Sequence, residues 1–114
     1  MRFLFLIHGE PEGEAALSPD ERRAIVAAHM AYASMLRERG AHVLAEALED
    51  PASAVVVRPG EKPVVTDGLL RLGEGAVGGF YVVDCASREE AIQLAGLVPK
   101  SPGIAVEVLA IAET

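Results

Sequence analysis

Three histidines (His8, His29 and His42) and an aspartate at a strand exit, Asp67, are the side chains in this chain best suited to acid–base work. An imidazole titrates near neutral pH, so it can both take and give a proton. His29 lies four residues after Ile25 and three before Tyr32, which turns it inward with an apolar helical stripe. There its ring N–H needs a partner. A backbone carbonyl makes it a core histidine, whereas a nearby carboxylate orients it and raises its pKa for catalysis. Asp67 sits directly before Gly68, where a short strand ends and a glycine-rich stretch begins. Asp-Gly is a common turn pair, so the same carboxylate also reads as a turn former.

The remaining polar candidates are less specific. His8 ends a strand and precedes Gly9, where backbone or ligand can approach closely; by alternation it shares a face with Leu4 and Leu6. It reads equally as a pocket residue and as a solvated tip. Glu46 stands between Ala45 and Ala47 in a strand, so it is either exposed by alternation or paired in a cleft. His42 follows the helix-ending Gly40 and reads as a surface residue. Cys85, the single cysteine, has no local base to make it a nucleophile and no partner for a disulfide. No metal motif with helical i, i+4 ligand spacing occurs, and Gly78-Gly79 is not followed by a helix as a phosphate loop would be. Neither metal nor cofactor is expected.

The elements that position these residues are well marked. Residues 2–8 are short and continuously apolar, as in a strand buried on both faces. Residues 9–17, with two Gly, a Pro and three Glu, read as a mobile acidic loop and a solvated rim. Ser18-Pro19-Asp20-Glu21 is a capping box with proline at the first helical position, opening a helix that runs to Arg39 and stops at Gly40. Its stripe is Ile25, Ala28, Tyr32, Met35 and Leu36. Strands follow at 42–48, 53–58 and 63–66, with Pro63 suited to an edge. A glycine-rich loop spans 67–79, and the next strand is 80–84. Ser87-Arg88-Glu89-Glu90 opens a second helix to about Val98, and a last strand covers 104–111.

This order is β-α-β, an inserted β-hairpin, then β-α-β. It predicts an α+β, ferredoxin-like split-βαβ sheet with both helices on one face. The other sheet face then needs a cover, which a second subunit supplies in a dimeric α+β barrel.

Composition agrees with a single domain over residues 1–114. The chain is 51% apolar, with three Phe, two Tyr and no Trp, so the core is aliphatic. So much aliphatic surface on so short a chain points to self-association as a homodimer. Ten Lys and Arg against 17 Asp and Glu leave a net charge of −7, which disfavours nucleic acid and anionic membrane surfaces as partners. No apolar run approaches the roughly 20 residues of a membrane span, and the N-terminus lacks the apolar core of a secretory signal. The cytoplasm is the expected compartment.

Val65-Thr66-Asp67-Gly68-Leu69-Leu70, then Gly78-Gly79-Phe80-Tyr81-Val82-Val83-Asp84 and Ser87-x-x-Glu90-Ala91, resemble the YCII-related family in the branch named for its Asp-Gly-Pro-Phe motif. Phe5-Leu6-Ile7-x-Gly9-Glu10, Leu17-Ser18-Pro19-Asp20-Glu21, Glu46-Ala47-Leu48 and Gly103-x-x-Val106-Glu107-Val108 agree with it, so the likeness covers nearly the whole chain. The main departure is Leu69-Leu70 in place of Pro-Phe, which removes a rigid turn and an aromatic wall. The resemblance implies a dimeric α+β barrel and a His/Asp pair, which falls on His29 and Asp67. One relative is a dehydrochlorinase of a hydroxylated aromatic ring. Other members are encoded beside extracytoplasmic-function sigma factors.

Two functions are therefore expected as alternatives. In one, a cofactor-free lyase- or isomerase-like enzyme uses His29 as general acid or base, Asp67 to orient or share its proton, and His8, Tyr32 and Glu46 to bind an unknown small molecule. In the other, the same fold is a non-catalytic binding or regulatory accessory.

Overall fold

The computed structural model describes residues 1–70 and 75–113, so Gly73, within the expected loop, lies outside the described residues. The elements are β1 (Arg2–Gly9), α1 (Pro11–Ala15), α2 (Pro19–Glu38), β2 (His42–Ala47), β3 (Val55–Arg58), β4 (Val64–Asp67), β5 (Ala76–Asp84), α3 (Arg88–Ala95) and β6 (Ala105–Ala110). Four strands form an antiparallel sheet in the order β2-β5-β1-β6, and β3-β4 form a separate two-stranded sheet. This is the expected α+β, ferredoxin-like arrangement. No helix among the described residues is long and apolar enough to cross a membrane.

Local sequence accounts for the helix ends. The Ser18 hydroxyl accepts from the Glu21 backbone N–H at 3.1 Å, and the Glu21 carboxylate accepts from the Ser18 N–H at 2.9 Å. At the other end Gly40 has φ +71°, and the N–H groups of Gly40 and Ala41 donate to the carbonyls of Arg37 and Leu36 at 3.0 and 2.8 Å. That double closure requires a left-handed residue, which glycine supplies without a Cβ clash. It also folds the chain back so sharply that β2 starts beside the C-terminal turn of α2.

Alternation sorts the sheet into two faces. Phe3, Phe5, Tyr81 and Val83 are buried with Tyr32 and Leu36 of α2 and Ala91 and Leu94 of α3, so both helices cover one face. The Tyr32 hydroxyl donates to the Leu94 carbonyl at 2.7 Å and ties the two helices together. Leu4, Leu6, Phe80 and Val82 point the other way and are half-buried, with Leu44 and Leu109 exposed beside them.

The structure departs from the sequence reading in four places. The acidic segment after β1 forms α1, closed by the Arg22 guanidinium donating to the carbonyls of Glu14, Ala15 and Leu17. β5 starts at Ala76, not Phe80, because Gly78 and Gly79 are accommodated within the strand. Gly78 is the unopposed residue of a bulge, and a Cβ on Gly79 would meet the Glu46 carbonyl oxygen at 3.0 Å. Glycine there permits close strand approach, not loop freedom. Ala28 of the expected helical stripe is exposed, and Ala33 rather than Ala28 lies in line with Ile25 and His29 towards the sheet. Finally, β3-β4 stands apart from the main sheet, with Val55, Val57, Val64 and Val65 all more than half exposed. The radius of gyration is accordingly 15.7 Å, against about 13 Å for a compact domain of this length.

Candidate functional site

Between α2 and the β2-β5 side of the sheet lies an open cavity of about 930 Å³, at the upper end of the ~300–1,000 Å³ of small-molecule sites. The buried residues of α2, Tyr32 and Leu36, lie in its C-terminal half, whereas the side of its N-terminal half that faces the sheet lines the cavity. Ile7, Ile25, Val26, Met30 and Ala33 give it apolar walls.

His29 and Tyr81 meet inside this cavity. His29 Nδ1 lies 2.8 Å from the Tyr81 hydroxyl, and the two rings stack with centroids 5.9 Å apart and planes 14° from parallel. Tyr32 meets Tyr81 edge-on at 5.1 Å from the buried side. This packing fixes Tyr81, which in turn fixes the imidazole. Burial pushes the His29 pKa below its ordinary value of 6.5, so the ring is neutral at pH 7. Burial raises the Tyr81 pKa, and the positive charge of Arg37 opposes that rise. Tyr81 is therefore a neutral hydroxyl at Nδ1, and among the described residues Nε2 has no hydrogen-bond partner.

The other expected site residues are distributed differently. Tyr32 is only 5% exposed and does not line the cavity; its hydroxyl is committed to Leu94, and burial raises its pKa. It is a core residue. His8 also lies outside the cavity lining, on the opposite sheet face, where its Nε2 pairs with the Glu107 carboxylate. The two are diagonal neighbours on adjacent strands, the distance at which long side chains meet. Glu46 sits at the cavity edge through its strand, but its register opposite Phe80 turns its side chain towards the outer sheet face.

Asp67 is exposed at the end of β4, opposite Val55, and is absent from the cavity lining. Among the described residues, no carboxylate forms an ion pair or hydrogen bond with His29. The two are not joined within the chain, because Asp67 belongs to the separate hairpin and His29 to the helix over the main sheet. Among the described residues, no cluster of three His, Cys, Asp or Glu side chains is arranged as a metal site. Cys85 is buried, and burial, reinforced by Glu90 and Asp84, raises its pKa away from thiolate reactivity.

Sequence reasoning missed Tyr81 and Arg37, which line the cavity, and His42, expected at the surface, lines it as well. The signals were present. Tyr81 occupies an inward position of its strand, two residues before Val83. Arg37 continues the His29, Ala33 line at i+4 and i+8 on α2.

No curated protein matches the chain. The family model of the YCII-related domain matches it over residues 1–113, and on that match the chain belongs to the YCII-related family.

Proposed function

We propose that the cavity beneath α2 binds a small, largely apolar molecule and that His29 exchanges a proton with it through Nε2. The observation carrying this reading is the 2.8 Å contact between His29 Nδ1 and the Tyr81 hydroxyl inside a cavity of ligand size. A neutral imidazole whose Nδ1–H donates to the Tyr81 oxygen presents Nε2 as a general base, and one whose Nδ1 accepts from the Tyr81 O–H presents Nε2–H as a general acid. The reaction class is a cofactor-free, lyase- or isomerase-like proton transfer on a small cyclic substrate. Tyr81 takes the positioning role that the sequence suggested for Asp67.

The non-catalytic alternative also has a specific observation behind it. A neutral hydroxyl on Nδ1 does not raise the basicity of the imidazole as a carboxylate would, and burial lowers it further. Binding without turnover suits such a histidine equally well. Deuterium incorporation from D2O into a panel of cyclic ketones and hydroxylated aromatics separates the two. Proton transfer predicts protein-dependent exchange that His29→Gln abolishes while ligand affinity persists. Binding without exchange in the wild type assigns the cavity to a binding module.

The protein's partner in this account is a second copy of itself. The apolar outer face formed by Leu4, Leu6, Phe80, Val82, Leu44 and Leu109 supports a homodimer closing into a two-sheet barrel.

A further inference from the structure

We infer that Arg37 makes the cavity selective for a carboxylate-bearing ligand, gripping the carboxylate while the apolar body of the molecule extends towards His29. This inference rests on the reading of the cavity as a small-molecule site. It adds what kind of molecule enters and in which orientation.

Three independent features carry it. Arg37 lies on the same side of α2 as His29, two turns further on, and lines the same cavity with Ala33 between them. Its Cα is about 12 Å from that of His29 along the helix axis, and helical side chains lean back towards the N-terminus. The long arginine side chain therefore covers the turn between the two. A six-carbon or arylalkyl acid matches that span.

The second feature is the state of the guanidinium. α2 and its C-cap carry four arginines, and three are engaged: Arg22 with carbonyls at the end of α1, Arg23 with Asp20, and the C-cap Arg39 with the Met35 sulfur at 4.0 Å. Among the described residues, the Arg37 guanidinium has no hydrogen-bond or ion-pair partner. Arg37 is exposed where it lines the open cavity, and a planar fork of N–H donors there suits bidentate capture of a carboxylate.

The third feature is the distribution of charge. The tight turn at Gly40 places His42 beside the Arg37 end, whereas Glu49 and Asp50 follow the far end of β2, about 20 Å along the strand. Glu14 also borders the far end, next to Gly9 at the end of β1. Asp50 is further occupied in accepting from the Ala52 N–H at 2.9 Å. At the far end the three carboxylates outweigh the one lining cation, Arg22, so the cavity is positive at the Arg37 end and net negative at the other, which sets the direction in which an anionic ligand enters.

The test compares phenylacetate, 3-phenylpropionate and hexanoate with their uncharged amides. Binding is read by calorimetry and by the imidazole NMR signals of His29. The wild type is expected to bind at least one acid about tenfold more tightly than its amide, with His29 perturbed by both. Arg37→Gln is expected to reduce that preference to within about twofold. Arg37→Lys keeps the positive charge at the helix end but lacks the fork, so it is expected to restore only part of the preference. Amides that perturb His29 with acids no tighter overturn the Arg37 inference alone, as does an unchanged preference in Arg37→Gln. If neither acids nor amides reach His29, the cavity reading fails and the Arg37 inference fails with it.

Discussion

The His29 imidazole and the Tyr81 hydroxyl, one on the long helix and one on a central strand, meet at 2.8 Å across the interface between helix and sheet. The contact fixes which ring nitrogen is held by the protein and, in the proposed site, which one meets the ligand. It also makes Tyr81, whose own ring is held edge-on by Tyr32, the structural support of the site.

Tyr81→Phe keeps the stacked ring and removes the hydroxyl. Loss of one partly buried hydrogen bond is expected to cost about 1 kcal/mol in urea denaturation. The more specific outcome is at His29, where the tautomer populations read from imidazole ¹⁵N shifts are expected to become mixed. An unchanged tautomer ratio contradicts the positioning role.

Tyr32→Phe is expected to separate stability from binding. The Leu94 carbonyl keeps a second donor, the Leu97 N–H at 3.1 Å, so it is not orphaned. The expected destabilisation is therefore about 0.5–1.5 kcal/mol, with ligand affinity of the cavity unaltered. A large affinity change returns Tyr32 to the site.

The pH dependence of stability has a definite sign. Burial lowers the folded-state pKa of His29 below the ordinary 6.5, so between those two values the unfolded chain binds more protons than the folded one. The contribution of neutral His29 is full above about pH 6.5 and declines as the pH falls through that window. Urea midpoints of the wild type are expected to fall more steeply on acidification than those of His29→Gln. Parallel curves contradict the burial of the ring.

Asp67→Asn is expected to leave cavity binding within about twofold of wild type, because the carboxylate is exposed on the separate hairpin. Calorimetry with a cavity ligand reads this directly, and a loss comparable to that of His29→Gln restores the His/Asp pair.

Phe80→Lys puts a charge in the middle of the apolar outer face, opposite Leu6 and Glu46. Sedimentation at micromolar concentration is expected to change from a two-chain to a one-chain species. A wild-type monomer contradicts the barrel.

Much of the fold was legible because its signals are local. The Ser18 capping box, the Gly40 terminator and the apolar run of β1 each specify an element from a few neighbouring residues. The inward turn of His29 followed from helical spacing, but its partner did not. Periodicity gives a side chain's direction, whereas Tyr81 is 52 residues away and reaches His29 only through the packing of helix on sheet. Tyr32 misled for the same reason: an inward tyrosine can line a cavity or seal a core, and the Leu94 carbonyl decides which. Asp67 carried a familiar turn signature, yet the separation of its hairpin from the main sheet is a tertiary fact with no local mark.

The most direct test of the site is the imidazole NMR spectrum of the full chain, with His8, His29 and His42 assigned, during titration with a cavity ligand such as 3-phenylpropionate. The account predicts that the His29 signals move in a saturable way while those of His8, paired with Glu107 on the opposite face, stay in place. A saturable shift of His8 with His29 unmoved would contradict it.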